Sequence, residues 1–311
     1  MGGPEALHFQ PGSKNQMTIK VEGTQLKMPL SIICGEREGP TVLISTGLHG
    51  GEYPGILAMV ELMRDLAPEE VSGRILALHP VNTQAFRARV SLILPEDGVN
   101  LNRAFPGNPH GSASEKAAWR ITELQDLADF YLDLHSGDLF EDLTPYAYYP
   151  GDAAPEILEA SRRAAGVLHV PYLTPARHPG GAICSAAQRG TPALLLERGG
   201  AGACGREEVA LYKRDVINVL KYLGVLHGDP DRPLTPPREI PELTYLESKH
   251  SALWQAAEIE LGDKVRAGQE LGRLFDYFGD TLEVCRAERD GVLLYRLRSL
   301  SANAGDILAA F

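Results

Sequence analysis

The sequence predicts an α/β fold: a mixed, mostly parallel sheet with helices on both faces, followed by a small all-β, barrel-like domain. Three observations carry that expectation. Short apolar runs alternate with amphipathic stretches from residue 17 to 224, as strands covered by helices do. The runs TVLIS (41–45), GRILAL (73–78), FYLDL (130–134) and ALLL (193–196) are nearly continuous in apolar character, as suits strands buried on both faces. Beyond a proline-rich stretch at 228–237, helical periodicity gives way to regularly spaced turn signals.

Taken in order, residues 1–16 are weakly patterned and read as a loose tail or an expression remnant. Residues 17–21 and 27–34 form a β-hairpin around Glu22, Gly23 and Thr24. Pro54 opens a helix to about Met63, because proline is tolerated in the first turn. Ser114 caps a helix running to about Leu127, and residues 153–166 and 206–223 have helical periodicity. The α/β domain spans 17–229, a linker 230–237, and a β domain 238–311. The last is punctuated by turns at Gly262–Asp263, Gly268, Gly279–Asp280, Asp290–Gly291 and Gly305–Asp306.

Composition narrows the function classes. Apolar residues at 44% are enough for a sizeable core, while the net charge of −11 argues against nucleic acid as a main partner. Four cysteines without a CxxC pair read as reduced thiols of a cytoplasmic protein. No signal peptide is visible, and no apolar stretch is long enough for a transmembrane helix.

Ligands of such sheets bind beyond the carboxyl ends of the strands, and four chemical clusters sit there. In TGLHGGEYPG (46–55) a turn with two glycines brings His49 and Glu52 together. HxxE alone is more often a helix entry with an incidental histidine and a capping carboxylate. In FYLDLHSGD (130–138) a second strand end delivers His135. Together His49, Glu52 and His135 form a set that suits one zinc ion with a position left for water. Asp133 either orients a ligand imidazole or caps a nearby loop. In DGVNLNRAFPG (97–107), Asn102 and Arg103 are able to hold a carboxylate jointly. Of the two arginines upstream, Arg87 reads as a solvated charge, and one near the metal would stabilise an oxyanion. In TPALLLERGGAG (191–202), Glu197 ends a buried run. It serves there as a general base and acid, or else as an ion-pair partner of Arg198 or a helix cap.

These motifs, in this order, resemble the succinylglutamate desuccinylase/aspartoacylase family, a branch of the zinc-carboxypeptidase-like hydrolases. The resemblance rests on HGGEYPG (49–55), DGVNLNRAFPG (97–107), DLHSG (133–137) and LLLERGGAG (194–202). It implies zinc ligands at His49, Glu52 and His135, a general base and acid at Glu197, carboxylate binding at Asn102 and Arg103, and a carbonyl-polarising arginine at Arg89. It further implies that ELGDKVRAGQELGRL (260–274) belongs to a biotinyl- or lipoyl-like β domain, here without a lysine in a carrier motif, which lines or gates the active-site mouth. Gly51 departs from the Asp that many relatives carry.

The implied activity is zinc-dependent hydrolysis of the amide bond of a small N-acyl amino acid. Its partner is then a small-molecule substrate with a carboxylate. A homo-oligomer is implied by the resemblance alone. A carboxypeptidase acting on small peptides would use the same residues, and a metal-binding homologue without turnover would keep the ligands while having no need of Glu197.

Overall fold

The computed structural model describes Leu7 and residues 9–311. Its main sheet holds nine strands: β1 (Ser13–Lys20), β2 (Lys27–Cys34), β3 (Arg37–Thr46), β4 (Ser72–Leu78), β5 (Phe130–His135), β6 (Tyr146–Pro150), β7 (Tyr172–Ala176), β8 (Ala193–Glu197) and β9 (Arg238–Glu239). Across the sheet the order is β1-β2-β4-β3-β5-β8-β6-β7-β9. The centre, β4-β3-β5-β8, is parallel throughout. On one flank β2 runs against β4, and on the other β6 runs against β8. The expected mixed, mostly parallel sheet is the one observed.

The helices are α1 (Tyr53–Asp65), α2 (Thr83–Ala88), α3 (Ala113–Gln125), α4 (Pro155–Ala165), α5 (Ala182–Gln188) and α6 (Arg206–Tyr222). Alternate residues of each central strand feed two cores. Val42, Ile44, Leu132 and Leu194 pack under α1, α4 and α6 with Met59, Ala164 and Val216. Leu43, Tyr131 and Leu195 pack under α3 and α5 with Ile121 and Ile183. The two-sided burial is why these strands show no alternation in the sequence.

Two expectations need correction. Strand β1 starts at Ser13, inside the stretch read as a tail, with Lys14 opposite Ile33 and Gln16 opposite Ser31. Residues 13–16 are polar and carry no apolar pattern, yet their backbone completes the ladder of β2 at the sheet edge. The rest of the expected tail falls largely on residues 1–6 and 8, outside the described residues. The N-cap of α3 is Ser112, not Ser114. Its hydroxyl accepts the Glu115 N–H while the Glu115 carboxylate accepts the Ser112 N–H at 2.7 Å. Such a box needs an acid three residues on, which Ser112 has and Ser114 lacks. Ser114 instead donates to Asp97 Oδ1 at 2.8 Å, pinning the 97–107 loop to the helix.

Every element of residues 238–311 is a strand. One four-stranded antiparallel sheet contains Ala252–Ala256, Glu270–Phe275, Thr281–Arg286 and Ser301–Ala302, and a second contains Tyr245–Glu247, Ile307–Ala310 and Tyr295–Leu297. The fourth strand of the second sheet is Glu141–Leu143, which pairs with Tyr295–Leu297. In return β9 extends the main sheet beside β7. Each part thus lends the other a strand, and the segment 230–237 is not their sole connection.

Just past the end of β8, Arg198 is buried and donates to Asp215 Oδ2 at 2.7 Å and to the His169 carbonyl at 2.9 Å. Asp215 Oδ1 accepts the His169 N–H at 2.8 Å. Removing one partner of a buried pair leaves an uncompensated charge. Asp215→Ala is expected to lower stability by about 3–5 kcal/mol in urea unfolding. A loss below about 1 kcal/mol would place this pair with exposed ones.

Candidate active site

Three rows run across β3, β5 and β8 on the face covered by α3 and α5. The first is apolar apart from one phenol: Leu43, Tyr131 and Ala193 lie side by side. In the second, Ser45 and Asp133 bring polarity beside Leu195. In the third, at the carboxyl ends, Glu197 stands next to His135. Register therefore fixes the neighbours, since residues paired across parallel strands share a face.

His49 and Glu52 join them from the turn after β3. Gly47 has φ 66°, the left-handed backbone that lets the chain leave the strand. The two glycines of HGGE have another purpose: a Cβ on Gly50 would lie 2.3 Å from the Phe86 nitrogen of α2, and one on Gly51 would lie 2.9 Å from Leu139 Cγ. Glu52 occupies the N-cap position of α1 but makes no side-chain cap bond. Its Oε1 lies 2.7 Å from His49 Nδ1 and its Oε2 lies 3.0 Å from His135 Nδ1. The Ser136 N–H also donates to Oε2 at 3.2 Å.

The far nitrogens of both rings are occupied. His49 Nε2 donates to Asn100 Oδ1 at 3.0 Å, and His135 Nε2 donates to Asp133 Oδ2 at 2.9 Å. With Nε2 donating in each ring, Nδ1 is the nitrogen turned to the Glu52 carboxylate, and it is the atom that would serve a metal once any proton shared with Glu52 is displaced. One ligand atom from each of the three residues falls within 4.8 Å of the others. Two imidazole nitrogens and a carboxylate oxygen, each with an outer hydrogen-bond partner, are a donor set that suits zinc.

The electrostatics follow from burial. Desolvation opposes ionisation of Glu52, but the His135 and His49 imidazoles outweigh it and hold the carboxyl at about 2. His135 is also penalised by burial, and Asp133 and Glu52 overcome that penalty to raise it well above the ordinary range. Glu197 goes the other way. Burial pushes it well above the usual carboxylate range, Glu52 and Glu141 add to the rise, and His135 opposes it. Its Oε2 is buried with no hydrogen-bond partner among the described residues. Arg198 is committed to Asp215, and Gly205 occupies the N-cap of α6. Glu197 is thus neither the ion-pair partner of Arg198 nor that helix's cap.

A cleft of about 1930 Å³ opens above this point between the main sheet and the C-terminal strands. His49, Glu52, His135, Glu197, Arg89, Asn102 and Arg103 all line it, and Arg87 does not. Arg89 is exposed at the C-cap of α2 with φ 54°. Asn102 is fixed by the Ala182 N–H, which donates to its Oδ1 at 2.8 Å. Arg103 is exposed and anchored by Nη1 donating to the Asn102 carbonyl at 2.8 Å.

Other lining residues escaped the sequence reading. Asn100 accepts from both His49 and the Asn102 N–H, so it ties the ligand turn to the 97–107 loop. It lies within that motif, but only the fold reveals its partner. Tyr146, Tyr148 and Tyr245 form a chain of phenols, at 3.3 and 3.1 Å, from β6 to the C-terminal strands. Tyr295 donates to Glu141 Oε1 at 2.7 Å. None of these carries a spacing signal.

Comparison with known proteins places this geometry. Residues 38–223 match the succinylglutamate desuccinylase/aspartoacylase catalytic domain. The chain belongs to this family. It is 37% identical to N-alpha-acetyl-L-2,4-diaminobutyric acid deacetylase of Halomonas elongata, over 96% of each chain. Among solved structures, a succinylglutamate desuccinylase/aspartoacylase from Rhodobacter sphaeroides superposes with a TM-score of 0.85 at 27% identity, covering 97% of this chain and 96% of that one. The product-bound ectoine utilization protein EutE (DoeB) from Ruegeria pomeroyi gives the same values. The protein is a hydrolase of N-acyl amides, a deacylase acting on small molecules.

Glu141 offers a pH test of the cleft wall. Burial, with Asp138 adding, raises it to about 8 from its ordinary 4.5. A carboxyl with a raised native pKa stabilises fully below its unfolded value, and the contribution fades as pH rises through the native one. Glu141→Gln should therefore flatten the fall of Tm between about pH 5 and 8. An unchanged slope in thermal melts would show that Glu141 is ionised in the native cleft.

Proposed function

We propose that this deacylase removes a short acyl group, acetyl above all, from a small amino acid that bears a second amine. The observation that carries this is the match, over nearly the full length of both chains, to a deacetylase of N-acetyl diaminobutyric acid. In support, the carboxyl groups of Asp138 and Glu141 line the cleft wall, and a cationic nitrogen bound beside them would favour their ionised forms. We assign the chemistry to residues 17–229, and the shaping of the cleft to residues 238–311 beyond the 230–237 linker.

The donors His49, Glu52 and His135 would hold one zinc ion, which supplies a water of lowered pKa and a Lewis acid for the amide carbonyl. Asn102 and Arg103 grip the substrate carboxylate and set the register of the scissile bond. Glu197 accepts a proton from the attacking water at its unpartnered Oε2, for which its buried position and raised affinity for protons suit it. Arg89 faces the charge that develops on the carbonyl oxygen. Glu197 then passes the proton to the departing nitrogen, leaving a carboxylic acid and a free amine.

A second reading gains from the size of the cleft. About 1930 Å³ exceeds the roughly 300–1,000 Å³ of ordinary small-ligand pockets, so a short peptide would fit. No helix of the described residues is long and apolar enough to cross a membrane. Four unpaired cysteines, one of them exposed, fit a reducing cytoplasm.

The decisive test joins metal content to amine release across N-acyl amino acids and short peptides. We expect about one zinc per chain and highest turnover on N-acetyl diamino acids. His49→Ala should lose the metal. Glu197→Gln should keep it while kcat falls by about 10²–10⁴. Peptide cleavage without deacylation would favour the second reading, and failure to load any metal would sink the site assignment.

A further inference from the structure

Beneath the cleft floor a hydrogen-bonded chain reaches His135 through Ser45 and Tyr131, two residues that none of the assigned roles uses. Tyr131, Ser45 and Asp133 have 0% exposure, and His135 has 2%. Ser45 Oγ lies 2.5 Å from Asp133 Oδ1 and 2.6 Å from the Tyr131 hydroxyl. Asp133 Oδ2 then meets His135 Nε2 at 2.9 Å. The Asp133 and Gln125 side chains also lie near enough to Tyr131 to act on its phenol.

The direction of this chain follows from counting protons. Ser45 Oγ gives its single proton to Asp133 Oδ1. Ser45 then has only lone pairs to offer Tyr131, and the phenol must donate, to Ser45 Oγ or to Asp133 itself. Either way its proton points toward Asp133. With Oδ1 occupied from that side, Oδ2 is the oxygen turned to His135. The Nε2 proton of the imidazole is held there, so Nδ1 is the nitrogen turned to Glu52 and the one that would serve a metal.

We propose that Ser45 and Tyr131 are positioning residues for the His135 ligand, acting through Asp133 to fix its tautomer and ring orientation. The inference rests on the metal site proposed above. Three features favour it over simple packing. Ser45 and Tyr131 place hydroxyls in a layer otherwise filled by Leu43, Leu76 and Leu195, where a buried hydroxyl without a partner would be unfavourable. Register puts Ser45 directly opposite Asp133, so the contact is built into the sheet. Finally, the chain continues outward: Gln125 Nε2 donates to the Ala182 carbonyl at 3.3 Å, and the Ala182 N–H holds Asn102. The same buried groups therefore lie under both the ligand and the substrate-carboxylate turn.

Ser45→Ala and Tyr131→Phe each remove one oxygen and leave the cleft lining untouched. Zinc affinity is to be measured by chelator competition, the cobalt(II)-loaded protein by its visible absorption, and the metal-free protein by its unfolding midpoint. Outer partners of metal ligands typically contribute 10–100-fold in affinity, so each variant should weaken zinc by roughly tenfold. The cobalt spectrum should shift as well. Ser45→Thr, which keeps the hydroxyl, should restore both readouts. In an Asp133→Asn background Ser45→Ala should have little further effect, because its route to the metal is already cut. A lowered unfolding midpoint with unchanged zinc affinity and spectrum would reduce the chain to packing and overturn the inference alone. Wild-type protein that takes up no metal would instead overturn the site reading, and this inference with it.

Discussion

Glu52 is 4% exposed and lies between two imidazoles delivered by different strands. A buried carboxylate in that position is tolerable only if both rings arrive within hydrogen-bond reach. That requirement propagates through the fold. It sets the register of β3 against β5, since a slip of one residue would turn His135 into the opposite face. It also sets the path of the 46–52 turn, where α2 leaves no room for a side chain at Gly50. Metal binding would relieve the same crowding by supplying positive charge where the imidazoles now supply it alone.

The second dependence is on the C-terminal strands. The loan of Glu141–Leu143 to the sheet containing Tyr295–Leu297 puts a main-region carboxylate under a C-terminal phenol. The Tyr146–Tyr148–Tyr245 chain makes a similar join nearer Glu197, whose β8 position is paired with Tyr146. The cleft is therefore shaped jointly by the two parts. A change in how the C-terminal strands pack would reach Glu197 through tyrosines, without touching His49, Glu52 or His135.

How much of this was legible in the sequence depends on what constrains each residue. Central strands announced themselves because burial on both faces forbids polar interruption. His135 and Glu197 were visible because they break that rule at a strand end, and His49 and Glu52 because glycines surround them. The short helices α2 and α5 went unread because they span fewer than two helical turns, and β6 and β7 because tyrosine and proline break up their apolar runs. Ser112 and Ser114 were confused because each can cap, and only the position of Glu115 decides between them. The interleaving of the two parts was beyond reach, since strand pairing over more than 150 residues leaves no local mark.

That division has a physical basis which bears on specificity. Chemistry at a strand end is fixed by register, and register is written in local apolar runs. Arg103, Tyr245 and Glu141 also line the cleft, but the last two are placed there by contacts distant in sequence. The reaction type is accordingly readable from four short motifs. The cleft wall, by contrast, is assembled from both parts of the chain, and there the folded structure is needed to know which residues face one another.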